Sequence, residues 1–187
     1  VAADFTRPFK LPAVTRGRPL AGFFPGSTIG NFDPADAADF LRHLKRMLGP
    51  GARLIIGIDL RKDPKILEAA YDDAAGVTAA FNRNLLVRAN RELDADFDLD
   101  AFAHRAMFND ERGRVEMHLV SRKAQDVHIR GHAFSFAAGE SIHTECSYKY
   151  TVEGFRELAV SAGWTPTEVW LDDAGLFSVH ALTSAKN

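Results

Sequence analysis

The run Leu54-Ile55-Ile56-Gly57-Ile58 constrains this chain more than any other stretch. It is short, continuous and apolar, it follows the helix-stopping sequence Gly49-Pro50-Gly51, and it ends in the charged segment Asp59-Leu60-Arg61-Lys62-Asp63-Pro64. A strand that offers water neither face needs cover on both, which is the situation of a central parallel strand in an α/β sheet. The preceding residues supply part of that cover. Apolar residues from Leu20 lead through Gly22-Phe23-Phe24 into the turn Pro25-Gly26-Ser27-Thr28-Ile29-Gly30-Asn31, and Asp33-Pro34 then marks a helix start, with Asp at the N-cap and Pro in the first helical position. Phe40, Leu41, Leu44 and Leu48 recur at helical spacing as far as Gly49. Residues 20–62 therefore read as strand, loop, helix and buried strand, with polar loops after both strands.

The first loop has the chemistry of a binding turn. Gly26 and Gly30 admit backbone angles closed to other residues and let the chain pass close to a ligand, while Ser27, Thr28 and Asn31 carry short polar groups. In an open α/β sheet, ligands sit at the carboxyl ends of the strands, where this loop lies. A turn whose polar side chains bond only to their own backbone explains the same residues equally well.

Further along, Asp63-Pro64 repeats the helix-start signal, and Ile66, Leu67 and Ala70, then Val77, Phe81, Leu85 and Leu86, follow at helical spacing with a break at Gly76. Asp94 to Asp100 reads as an acidic turn, and Phe102 and Phe108 as flanking a short helix or turn. The period then changes to two: Val115, Met117 and Leu119; Val127 and Ile129; Phe134 and Phe136; and Ile142, Thr144, Cys146 and Tyr148 alternate with polar residues, predicting an antiparallel meander of about four strands. A helix from Thr151 to the Gly163 stop precedes two strands, Thr167–Leu171 and Phe177–Leu182, joined by Asp172-Asp173-Ala174-Gly175. The predicted organisation is an α/β framework, residues 1–62 and 151–187, interrupted by an α+β insertion at 63–150. Residues 1–19, rich in proline, glycine and arginine, read as an extended connection.

Composition excludes several classes of function. A net charge of -2 gives no positive excess to favour nucleic acid or an anionic membrane surface. The one cysteine, Cys146, excludes an internal disulfide framework, fits a reducing cytoplasmic setting and reads as a small buried residue rather than a nucleophile. No apolar run approaches the roughly 20 residues needed to span a bilayer. The seven histidines show no ligand spacing, and His118 with His143 is a weak metal pair, so no metal is expected. Asp72-Asp73 reads as a solvated helix face that helps fix Tyr71.

Several strings together resemble one family, the histidine-specific, S-adenosylmethionine-dependent methyltransferases of ergothioneine biosynthesis. They are Phe23-Phe24-Pro25-Gly26-Ser27-Thr28-Ile29-Gly30-Asn31-Phe32, Gly57-Ile58-Asp59-Leu60-Arg61-Lys62-Asp63, the segment from Ala70-Tyr71-Asp72-Asp73 to Ala80-Phe81-Asn82, Glu116-Met117-His118-Leu119, and His143-Thr144-Glu145-Cys146-Ser147-Tyr148-Lys149-Tyr150. The resemblance implies the second half of a Rossmann-like class I methyltransferase fold with an inserted α+β substrate-binding domain. It further implies that Asn31 and Tyr71 hold the amino-acid end of a histidine, that Glu145 and Ser147 grip its imidazole, and that Met117 lines the pocket. Asp4 and Phe5 would face the adenine of S-adenosylmethionine, with Gly26 and Ser27 near its methionine portion.

No residue is implied as a proton-transferring catalyst. Independently of the resemblance, Glu145 and Ser147 lie two apart in an alternating segment and share a face, where a carboxylate and a hydroxyl match the two nitrogens of an imidazole, although without the resemblance an exposed charged face of a sheet is the first reading of Glu145. No strand followed by a G-x-G turn and a later acidic residue occurs in the chain. The expectation is thus a chain that lacks the cofactor-binding half of the fold. The alternative is a non-catalytic module that completes its site with an N-terminal portion or with a second copy of itself.

Overall fold

The structure is a computed structural model that describes residues 2–7 and 9–185. The chain divides into two compact units, one formed by Val1–Arg61 with Tyr148–Asn187 and the other by Lys62–Ser147.

The first unit is built on a four-stranded sheet. Strand β1 (Ala21–Phe24) runs parallel to β2 (Arg53–Asp59), with Gly22 opposite Leu54 and Phe24 opposite Ile56. Two C-terminal strands, β8 (Trp164–Leu171) and β9 (Phe177–Ser184), complete the order β1-β2-β9-β8, β9 being antiparallel to both of its neighbours. Pro166, which has no N–H to give to a ladder, stands on the outer strand β8 beside a register shift before Glu168. Helix α1 (Pro34–Leu48) follows the loop after β1, and α4 (Val152–Ser161) precedes β8. Both helices pack into one core with Leu54, Ile56, Ile58, Trp164 and Leu182. The indole of Trp164 keeps its one donor satisfied there by giving it to the Leu41 carbonyl, at 2.9 Å.

The central strand is less symmetric than its composition predicts. Ile55 is only half-buried, whereas Leu54, Ile56 and Ile58 are fully buried, because both helices contribute to the same core cluster. Gly57 is required for a local reason. A Cβ there would sit 2.8 Å from the Phe177 ring and 3.1 Å from the Gly26 nitrogen, so its absence lets the binding-type loop lie against the strand.

The second unit contains α2 (Pro64–Tyr71), α3 (Val77–Leu93), and strands β3 (Phe102–Asn109), β4 (Arg114–Ser121), β5 (Gln125–Ile129), β6 (His132–Phe136) and β7 (Ser141–Tyr148), the last of which ends on the first residue of the following unit segment. The predicted four-strand meander is instead a three-stranded sheet, order β3-β4-β7, and a separate hairpin, β5-β6. The stretch around Phe102 and Phe108, predicted as a short helix or turn, is strand β3, paired antiparallel to β4 along its whole length. Its even-numbered residues alternate with Arg105 and Met107, a period-two pattern hidden by the weakly apolar His104 and Ala106. The hairpin turns on Arg130 and Gly131, both in the left-handed region with φ of 49° and 79°.

Helix α3 also departs from its sequence reading. Val77 and Phe81, taken as part of its inward face, are 68% and 64% exposed, while Ala79, Asn82 and Leu86 are buried. The buried face is thus polar at its centre; of the residues at helical spacing Leu86 faces inward as predicted, whereas Val77, Phe81 and Leu85 do not.

Candidate active site

The loop after β1 is held by bonds that its own residues do not predict. Gly26 (φ 73°) and Ser27 (φ 57°) both take left-handed backbone angles, and Thr28–Asn31 then form a single 3-10 turn closed by the Gly30 N–H on the Ser27 carbonyl, at 2.9 Å. Ile29 is fully buried and anchors the turn in the core. The Ser27 hydroxyl accepts the backbone N–H of Asp59 at 2.8 Å, so the loop is bonded to the carboxyl end of β2. The Asp59 carboxylate in turn meets the Lys149 ammonium at 2.7 Å, with the lysine side chain 1% exposed.

The neighbouring segment makes the same kind of tie. Tyr148 donates its hydroxyl to the Asp33 carboxylate at 2.7 Å, and Tyr150 pairs with Leu60 as an isolated parallel bridge. Asp33 stands at the N-cap of α1 as predicted, but its side chain does not cap the helix; its carbonyl accepts from Ala37 instead. Asn31 projects at the surface of this loop, and among the described residues its carboxamide makes no hydrogen bond. One cavity of the unit, about 530 Å³, is lined by Phe32, which follows the loop, together with Thr6, Asp36, Asp39 and His43; another, of about 380 Å³, is lined by Arg42, Lys45 and Arg46 and by no residue of the loop.

The residues assigned to the cofactor differ in how far they are free to serve it. Phe5 is 42% exposed and lies edge-on to Phe24 and Phe40, which leaves part of its ring open to stack on a planar group. A Cβ on Gly26 would meet nothing within 4 Å, so a ligand can approach that backbone. Asp4 accepts from both the N–H and the hydroxyl of Thr6, bonds that hold its carboxyl below the usual range. Ser27 is buried and engaged with Asp59. Phe5 and Gly26 are thus open to a neighbouring group, and Asp4 and Ser27 make hydrogen bonds within the chain.

In the second unit the structure brings Tyr71 and Ser147 together. Tyr71, the last residue of α2, donates its hydroxyl to the Ser147 hydroxyl at 2.9 Å, and Ser147 is buried on β7. Its position is fixed from behind by residues that sequence reading missed. The Tyr71 carbonyl lies 2.8 Å from Nε2 of His104, and a carbonyl only accepts, so that nitrogen carries the hydrogen. Nδ1 of His104 then accepts from the side-chain amide of the fully buried Asn82, at 2.9 Å, and the same amide also donates to the His118 carbonyl. A histidine and an asparagine on a helix and a strand give no local pattern, which is why the sequence conceals this brace.

Asp73 caps α3, accepting from Val77 and Thr78, and the bonds from Thr78 above all hold its carboxyl at about 2. Asp72 closes α2 as its C-cap residue. Met117 is buried on β4, and its carbonyl accepts from the Thr144 hydroxyl at 3.0 Å. Glu145 is half-buried, and among the described residues its carboxylate makes no hydrogen bond or ion pair. Cys146, expected to be buried, is half-buried. Asn31 belongs to the first unit, and Tyr71, Met117, Glu145 and Ser147 to the second.

Comparison with known proteins decides the family. The model of the histidine-specific, S-adenosylmethionine-dependent methyltransferases matches residues 1–184. The chain belongs to that family. It is 49% identical over 182 residues to the histidine N-alpha-methyltransferase of Mycolicibacterium smegmatis and 41% identical over 181 residues to that of Mycobacterium tuberculosis, matches that cover 96% of this chain and 56% of each relative. The ergothioneine biosynthesis protein 1 of Neurospora crassa is 30% identical over 148 residues, 78% of this chain and 16% of that protein. The chain thus spans about half the length of the bacterial relatives. Among solved structures, a S-adenosylmethionine-dependent methyltransferase from Clostridium acetobutylicum superposes with a TM-score of 0.50 at 10% identity, covering 99% of this chain and 64% of that one, a likeness of fold. Among the described residues no helix is long and apolar enough to cross a membrane.

Proposed function

We propose that this chain carries the histidine-binding part of an enzyme that transfers methyl groups from S-adenosylmethionine to the α-amine of histidine, a trimethylation belonging to ergothioneine biosynthesis. The pairing of Tyr71 with Ser147 is the observation that supports it most, since two residues 76 positions apart meet where the reading needs a polar contact. A serine hydroxyl both accepts and donates, so the Ser147 that accepts from Tyr71 has the chemistry to meet one imidazole nitrogen. The Glu145 carboxylate is suited to the other nitrogen, which bears a hydrogen. Together they would favour one orientation of the ring. Tyr71 then acts at the ring end, through Ser147, and Asn31 takes the amino-acid end.

In this reading the framework is the later half of a Rossmann-like fold, and residues 63–150 are the substrate-binding insertion. Methyl transfer needs a nitrogen lone pair in line with the bond that breaks, so orientation does most of the work and no strong acid is required. S-adenosylmethionine supplies an activated methyl on a sulfonium; Phe5 and Gly26 are the residues here that would meet it. The chain contains no strand leading into a G-x-G turn with a later acidic residue, and we infer that cofactor contacts are completed by a polypeptide outside these 187 residues.

The test is methyl transfer by the longest natural form of the protein, with products identified by mass spectrometry, in the parent and in Glu145→Ala. The reading expects methylation of the histidine α-amine. For Glu145→Ala it expects a half-saturating histidine concentration raised roughly ten- to a hundredfold, as for loss of a hydrogen bond to a charged group worth about 1.5–3 kcal/mol, with cofactor affinity kept. Methylation at a ring nitrogen, or an equal loss of histidine and cofactor affinity, would overturn it.

A further inference from the structure

A second cluster of chemically able side chains lies on the three-stranded sheet. Glu116 and His118 are two apart on β4 and share a face. His143, on the neighbouring strand β7, stacks on His118 with ring centroids 4.8 Å apart and planes 17° from parallel. Oε2 of Glu116 is 3.4 Å from Nε2 of His118, and one ligand atom from each of the three residues lies within 4.8 Å of the others. We propose that Glu116, His118 and His143 form a binding site for a divalent transition-metal ion of the zinc type.

Three features carry this beyond proximity. The donor set is two imidazoles and one carboxylate, which suits zinc, cobalt or nickel and does not suit magnesium or calcium, whose sites are built from oxygen. The carboxylate is already aimed, because Oε1 of Glu116 is held by Arg114 at 2.8 Å and by the Asn109 amide at 3.2 Å, leaving Oε2 on the histidine side. Each imidazole has an outer partner of the kind that orients metal-bound histidines. Nδ1 of His118 is 3.3 Å from the Ser141 hydroxyl, and Nε2 of His143 is 3.1 Å from the Glu145 carbonyl, a bond in which the nitrogen must donate and the lone pair falls on Nδ1. Arg105 faces His118 across β3 and β4, but it is exposed and its charge is screened by water.

An ion here would clip β4 to β7. The arrangement was invisible as a sequence motif because its third member comes from another strand, 25 positions after His118.

The experiment uses the chain freed of metal by a chelator and titrated with zinc chloride in a calorimeter. His143→Ala removes an exposed ligand, His118→Gln removes a half-buried one, and His132→Ala, an exposed histidine on β6, is the control. One zinc per chain in the micromolar range is expected, weakened at least about tenfold in each ligand variant and unchanged in the control. Absence of binding, persistence of binding in both ligand variants, or equal weakening by His132→Ala would overturn the site. Should a variant misfold, the parent chain decides by proton NMR. At one equivalent of zinc the ring resonances of two of its seven histidines should move, and no change, or a uniform change in all, would refute it. The outcome does not depend on whether the protein methylates histidine.

Discussion

Replacing Lys149 with Met tests whether the loop bearing Asn31 rests on a buried ion pair. The lysine side chain is 1% exposed and its ammonium lies 2.7 Å from Asp59, whose side chain keeps 20% of its surface in water. Removing one partner of a buried pair costs about 3–5 kcal/mol, because the other charge is left without compensation; partial access of water to Asp59 reduces this to about 2–3 kcal/mol. Methionine preserves the aliphatic length, so no cavity adds to the loss. The double substitution Lys149→Met with Asp59→Asn removes both charges and should recover most of the stability. Urea unfolding followed by tryptophan fluorescence reads the right part of the molecule, since both tryptophans, Trp164 and Trp170, lie in the first unit with this pair. With an m-value of about 2 kcal/mol per M, the midpoint should fall by about 1–1.5 M in the single variant. A change below about 0.5 kcal/mol, or a double variant as unstable as the single one, would refute the reasoning.

Three further outcomes are expected. Histamine, which lacks the carboxylate, should bind the longest natural form of the protein more weakly than histidine, and Asn31→Ala should narrow that gap; an unchanged preference removes Asn31 from the site. The 187-residue chain alone should give no measurable heat with S-adenosylmethionine, and micromolar binding, about 8 kcal/mol at 1 μM, would show that it holds a more complete cofactor site. The fully buried His180 is pushed down to about 4, chiefly by its burial, against about 6.5 in an unfolded chain. The unfolded state therefore takes up a proton first as pH falls, so the stability contributed by the neutral ring is whole above about pH 6.5 and is lost between about 6.5 and 4. His180→Phe should flatten that part of the pH–stability profile, and an unaltered profile would count against the assignment.

The sequence by itself determined the elements whose signals are local. Asp33-Pro34 and Asp63-Pro64 open α1 and α2 where helix-start chemistry places them, Gly49 and Gly163 follow the ends of α1 and α4, and the apolar run at 54–58 is strand β2 at the centre of its sheet. The strings quoted for the family were also enough to name it, since long matches in fixed order need no geometry. Where signals compete, tertiary structure decided. Val77, Phe81 and Leu85 have helical spacing whichever way α3 is turned; Asn82 faces inward because its amide reaches His104 and the His118 carbonyl. The segment 102–109 becomes a strand because β4 offers it a ladder. Asp33 is drawn from its helix by Tyr148, Ser27 is taken by Asp59, and Glu116 acquires His118 and His143 as neighbours. Each of these pairings joins residues far apart in the chain or on different strands, and no periodicity encodes a distance of that kind. Local backbone chemistry is written in neighbouring residues, whereas the partner of a buried polar group is chosen by which elements the fold packs against it.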